Sequence, residues 1–128
     1  MVRLLALARG GAAALAAASA GQAFAAGDAG RGHAVFATQC SICHSSNKGG
    51  GVVLGPPLYG VVGRKAGSVA GFSYSGAMKN AGFTWDSAHL HAYLPAPRTY
   101  LPGVRMTYPG LKDPAQLDDL VAYLQSLR

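Results

Sequence analysis

Cys40-Ser41-Ile42-Cys43-His44 is the stretch on which the reading of this chain turns. Cys40 and Cys43 are the only two cysteines in 128 residues, so a disulfide framework is excluded: a single pair three positions apart cannot staple a fold. Four other readings compete for them. Each thiol can add across one vinyl group of a haem, leaving the adjacent His44 beneath the iron as proximal ligand, and both spacing and residue order match that attachment. A thioredoxin-like redox pair needs a preceding strand and a βαβ context, and no run of period 2 stands out here. A zinc site needs two further ligands, and His33, His89 and His91 do not complete a recognisable pattern. The pair could also be incidental. Covalent haem attachment is the reading the residue order favours.

Working outward, the chain alternates short helical signals with long irregular stretches. Asp28 can cap a helix running to about Gln39, with Val35 and Phe36 apolar and Gly32 leaving a smooth spot on its surface. Residues 45–84 show little sustained periodicity and are punctuated by glycines and by Pro56-Pro57, with one helical turn near Ser75 to Asn80. Loops of that length inside a compact domain are uncommon unless they wrap something functional. A second helix fits Asp86 to Leu94, with Leu90, Tyr93 and Leu94 on one face and Pro95 ending it. Pro95 to Pro109 reads as extended and rich in turns. Asp113-Pro114-Ala115-Gln116 then combines an N-cap, a proline at the first helical position and a capping-box residue. The helix it opens carries Leu117, Leu120, Val121 and Leu124 at i, i+3, i+4 and i+7.

The N-terminus reads as a targeting segment. Arg3 and Arg9 precede a charge-free run of Ala, Leu and Gly beginning at Gly10, and Ala23-Phe24-Ala25 has small residues at the two positions a signal peptidase reads. Residues 1–25 are therefore expected to be a cleaved signal peptide and residues 26–128 a single domain; an uncleaved membrane anchor is the alternative. Eleven Lys plus Arg oppose five acidic residues, and nine basic side chains remain once Arg3 and Arg9 are removed. These are scattered, with no basic run and no interleaved aromatic platform, so nucleic acid is not an expected partner.

Iron held by His44 needs a second donor. Beyond residue 25 only Met78 and Met106 offer a thioether, the donor that raises a haem potential and suits an electron carrier. Met106 follows a Pro102-Gly103 turn on an extended stretch that could lie against a flat ring, whereas Met78, in a short helical turn, reads as packing against the ring edge.

A series of further fragments occurs in order: Gly32-x-x-x-Phe36, Gly55-Pro56-x-Leu58-x-Gly60, Gly63-Arg64-Lys65, Gly71-Phe72-Ser73-Tyr74-Ser75 and Phe83-Thr84-Trp85. Tyr93-Leu94-x-x-Pro97, Tyr100-Leu101-Pro102-Gly103-x-Arg105-Met106 and Leu120-x-Ala122-Tyr123-Leu124 continue it. With the CxxCH motif, these make the chain resemble the class I cytochromes c, the mitochondrial type and its bacterial relatives, over nearly all of residues 26–128. The resemblance implies an all-α fold of helices and long loops wrapped around one covalently bound haem c, with the first and last helices crossing where Gly32 and Phe36 meet Leu120 and Tyr123. It implies Cys40 and Cys43 as attachment points and His44 and Met106 as axial ligands. The Pro56 carbonyl would fix the His44 tautomer, Tyr74 and Trp85 would donate to a propionate that Arg64 offsets, and Tyr93 would lean on the Met sulfur.

The chain departs from that pattern at several positions. Val104 stands where the mitochondrial type has Thr, and Met78 where it usually has Asn, both making the crevice more apolar. Arg98, Arg105 and Lys112 match the ring of basic residues that docks acidic partners in the family, while Gln39 and Val53 occupy two other ring positions. His33, His89 and His91 are expected on helix surfaces with no role. The function expected is that of a soluble, monomeric periplasmic electron carrier, not an enzyme. Its expected partners are membrane or periplasmic redox complexes, such as a quinol–cytochrome c reductase and a terminal oxidase, or a dehydrogenase, with only transient contact at the membrane surface. A haem peroxidase or gas sensor is the alternative class and would need an open sixth position.

Overall fold

The computed structural model describes residues 10–17 and 26–128. The regular elements among these residues are five helices, α1 (Ala29–Gln39), α2 (Gly76–Lys79), α3 (Ser87–Tyr93), α4 (Pro97–Tyr100) and α5 (Pro114–Ser126). No strand forms among the described residues, only an isolated antiparallel bridge between Lys65 and Thr84. The expected all-α architecture is the one observed.

Three aspartates start the longer helices by satisfying backbone donors that a helix leaves unpaired at its N-terminus. The Asp28 carboxylate accepts from Arg31 N at 2.7 Å, Asp86 from His89 N at 2.8 Å and Asp113 from Gln116 N at 2.9 Å. Pro114 at the first position of α5 removes one such donor outright. α5 buries Leu117, Leu120, Val121 and Leu124, the stripe its spacing predicts.

One part of the core lies where α1 crosses α5, and α3 and the loops complete it with Val61, Ala66, Trp85, Leu90, Tyr93 and Leu94. α1 buries only Gly32 and Phe36, and a Cβ added to Gly32 would stand 1.9 Å from the Asp119 carbonyl oxygen, so the two backbones touch there. The Phe36 ring packs against Tyr123 with centroids 5.5 Å apart, beside Leu120, which is almost wholly buried. A polar clasp closes the same crossing. Arg31 donates to both Asp119 oxygens, Nε to Oδ2 at 2.9 Å and Nη2 to Oδ1 at 3.2 Å, and Asp28 N donates to Oδ1 at 2.7 Å. These bonds hold the buried Asp119 carboxylate below its ordinary range, the Arg31 bond first.

Two expectations need correction. The stretch from Pro95 to Pro109 is not uniformly extended, because α4 begins within it; Pro97 opens that helix, and Ala96 offers no side-chain cap that would announce it. His91 is not a surface residue. Its side chain is 10% exposed, Nε2 lies 2.9 Å from Asp118 Oδ1 and Nδ1 lies 2.7 Å from the Ser87 carbonyl, which ties α3 to α5. His89 is only half-buried, lying flat on Phe83, and His33 is exposed on α1.

Of residues 1–25, positions 10–17 are exposed and without regular secondary structure. Arg3, Arg9 and Ala23-Phe24-Ala25, on which the targeting reading rests, lie outside the described residues. Among the described residues no helix is long and apolar enough to cross a membrane.

Candidate functional site

The turn that ends α1 carries the chemistry. Cys40 N and Ser41 N both donate to the Phe36 carbonyl, and Cys43 N and His44 N both donate to the Cys40 carbonyl, so the motif coils directly off the helix. Cys40, Cys43 and His44 all line one cavity of about 700 Å³, inside the ~300–1,000 Å³ span typical of cofactor sites. Residues 54–78 supply much of the rest of the lining, with α3 and residues 104–109. The aperiodic loop does wrap a cavity.

His44 is held in one tautomer. Its Nδ1 lies 2.7 Å from the Pro56 carbonyl, which can only accept, so Nδ1 carries the proton and the Nε2 lone pair is left free. Burial pushes the imidazolium form down, with the nearby Arg64 charge adding and the Pro56 bond partly opposing, so the neutral, ligand-competent ring is favoured. Gly55 makes this possible: a Cβ there would stand 2.5 Å from His44 Cε1. Gly55 N donating to the Cys43 carbonyl at 2.8 Å keeps the loop in place.

Met106 lines the same cavity, and its sulfur accepts from the Tyr93 hydroxyl at 3.4 Å. Burial pushes the Tyr93 phenol up to about 12, so it remains a donor at any physiological pH. Tyr93 is held edge-on to Trp85 at 5.0 Å, and Trp85, buried, also faces the cavity. Arg64 donates to the Pro57 carbonyl at 2.8 Å and reaches the Tyr59 carbonyl at 3.5 Å, which aims a partly desolvated guanidinium along the cavity wall. The Tyr74 hydroxyl accepts from Val69 N at 3.1 Å and keeps its own hydrogen for another acceptor. Met78 and Val104 both line the cavity, so the two departures from the family pattern act on it directly.

Of the three residues expected to dock partners, Arg105 alone lines the cavity. Arg98 lies exposed on α4 away from the lining, and the Lys112 ammonium donates to the Pro95 and Pro109 carbonyls. Two further features of the lining are visible only in the fold. Ile42 and Leu54 stand 77% and 73% exposed beside the cavity; a Val-Val-Leu run in a glycine-rich loop with no periodic partner was the available signal. Gln39 and Tyr108, 69 positions apart, hydrogen-bond at 3.2 Å, and nothing local in the sequence marks that pairing.

The donor set discriminates between the competing chemistries. No group of three or more His, Cys, Asp or Glu able to hold a metal ion occurs among the described residues, so the cysteine pair lacks the further ligands that a zinc site needs. Burial, with Cys43 adding, pushes the Cys40 thiol up to about 11, opposite to the depressed value a redox-active pair requires. Two free thiols, an imidazole with Nε2 available and a thioether, all facing one largely apolar cavity, fit a covalently attached haem.

Fold and site together define a class I c-type cytochrome: helices and loops around a cavity floored by a CxxCH turn. The cytochrome c family model matches residues 29–128. Cytochrome c of Chlamydomonas reinhardtii is 48% identical over 100 residues, 78% of this chain and 89% of that protein. Cytochrome c of Nigella damascena is 44% identical over 100 residues, covering 78% and 90%, and that of Theileria parva 46% over 99 residues, covering 77% and 85%. The chain belongs to the cytochrome c family, whose members bind one covalently attached haem c and carry electrons between redox complexes.

Proposed function

We propose that this chain is a soluble, monomeric periplasmic electron carrier, exported with loss of residues 1–25, in which His44 Nε2 and Met106 Sδ hold the iron and Cys40 and Cys43 anchor the ring. When bound, haem c supplies an iron centre that takes up and returns one electron. The observation that carries the reading is that both donors are pre-set in one cavity: the Pro56 carbonyl orients His44, and the Tyr93 hydroxyl holds the Met106 sulfur. Donors fixed before and after electron uptake keep the site closed to other ligands and limit reorganisation, which suits transfer better than bond-making chemistry.

Arg64, Tyr74 and Trp85 serve the propionate side, the first by its charge and the others by donating N–H or O–H. Met78 and Val104 add apolar surface where a polar side chain would admit water. Arg98 and Arg105 steer an acidic redox complex toward the cavity rim, where Ile42 and Leu54 offer apolar contact once docked. A quinol–cytochrome c reductase as donor and a terminal oxidase as acceptor, or a dehydrogenase, have the required chemistry.

Replacing each methionine tests the ligand assignment. Met106→Ala is expected to give a haem that binds cyanide or carbon monoxide readily, and Met78→Ala one that does not; the reverse pattern would reassign the ligand. Export is tested by N-terminal sequencing of the periplasmic protein, where a chain beginning at Met1 would refute cleavage.

A further inference from the structure

The segment that carries Met106 is sparsely held. Val104 N donates to the Leu101 carbonyl at its start and Leu111 N to the Leu94 carbonyl at its end, but residues 105–110 make no backbone–backbone hydrogen bond among the described residues. Along this span two side-chain hydrogen bonds reach other segments from the neighbourhood of the sulfur. One is the Tyr93 bond to Met106; the other runs from the Tyr108 hydroxyl to Gln39 Oε1 at 3.2 Å. Gln39 is the last residue of α1 and directly precedes Cys40. Its amide therefore joins the Met106 segment to the turn that carries Cys40, Cys43 and His44, and both partners line the cavity. The Tyr108 ring packs against the core, so its hydroxyl is presented from a fixed base.

The geometry points to Tyr108 and Gln39 as a latch, a pair of positioning residues that closes the Met106 segment over the cavity and sets how readily the sulfur leaves. The proposal rests on the reading that Met106 is the sixth ligand. Opening the cavity by swinging residues 105–110 outward breaks the Tyr108–Gln39 bond, whereas motion confined to the loop of residues 45–84 does not. A hydrogen bond of this kind, exposed to water, is worth about a two- to tenfold change in an opening equilibrium. The Gln39 position, basic in the family's docking ring, here serves closure of the cavity through its amide.

The test is the rate at which saturating imidazole displaces the sulfur from the oxidised holoprotein, followed by loss of the weak far-red band of a Met-ligated ferric haem. Tyr108→Phe and Gln39→Ala are each expected to raise that rate about two- to tenfold. The double variant should be no faster than either single one, since both remove the same bond. Gln39→Glu keeps an acceptor and should restore the original rate. Urea unfolding of the same proteins separates the latch from general loosening, because Tyr108→Phe keeps the packed ring and should shift the unfolding equilibrium by no more than about the same two- to tenfold, whereas a loosened core would shift it further. Unaltered rates with the band intact, strictly additive effects, or a Gln39→Glu rate as fast as that of Gln39→Ala would overturn the latch while leaving Met106 as ligand. A wild-type protein without the band would overturn the ligand reading and the latch with it.

Discussion

Gly32→Ala isolates the contact on which the α1–α5 crossing depends. The new Cβ would lie 1.9 Å from the Asp119 carbonyl oxygen and 2.7 Å from Tyr123 Cβ, where ordinary contact begins at 3.4 Å. The nearer obstacle is backbone, so no rotamer change relieves it and the helices must part by on the order of 1.5 Å in a region packed at crystal-like density. Overpacking of this severity costs about 3 kcal/mol, the upper end of the usual range. Alanine's better helix propensity returns about 1 kcal/mol. The net loss is about 2 kcal/mol, or roughly 8–15 °C in Tm for a domain of this size. Gly76→Ala is the control: it opens α2, has nothing within 4 Å of the added Cβ, and should be neutral or stabilising by up to ~1 kcal/mol. Urea unfolding of the holoproteins, monitored by far-ultraviolet circular dichroism, measures both. A Gly32→Ala protein as stable as the parent would refute the close-crossing argument, as would equal losses at the two sites.

Three further outcomes follow from individual contacts. Asp119 is held below its ordinary value, near 3.8, by Arg31 and the Asp28 N–H, so its contribution is complete above that value and is lost as pH falls through the lower folded one. Asp119→Asn should therefore flatten the fall in unfolding free energy between about pH 5 and pH 2, and an unchanged slope would refute the assignment. Arg98→Gln, Arg105→Gln and Lys112→Gln should each slow association with an acidic redox partner at low salt, an effect that fades as salt rises, and unaltered low-salt rates would refute the steering role. Pro56 cannot be stripped of its carbonyl by mutation, but Gly55→Ala drives a methyl into the His44 ring and should give a misligated, high-spin fraction visible in the oxidised spectrum.

How legible this molecule was in its sequence depends on the range of each interaction. The starts of α1, α3 and α5 could be read because an aspartate caps a donor three residues on, a signal contained in four residues. α4 was missed for the complementary reason: Ala96 has no side chain that could cap, and the first helical residue, Pro97, looks the same in a turn. Cys40, Cys43 and His44 were legible as a motif because covalent attachment imposes its own spacing. Only a turn and a resemblance favour Met106 over Met78 in the sequence, since a thioether carries no spacing rule. His91 was misplaced because the partner that draws it inward, Asp118, lies 27 positions away. The same holds for Tyr108 and Gln39, which only the folded chain brings together. For Lys112 the sequence shows the cation, and only the fold shows the Pro95 and Pro109 carbonyls that its ammonium meets.

The central claim is that His44 and Met106 together close the iron site, and the optical spectrum of the purified oxidised protein tests it most directly. A weak far-red band at neutral pH, lost only slowly after imidazole is added, is the predicted result. A high-spin spectrum without that band, with imidazole binding at once, would contradict it and point to an open iron suited to peroxidase or gas-sensing chemistry.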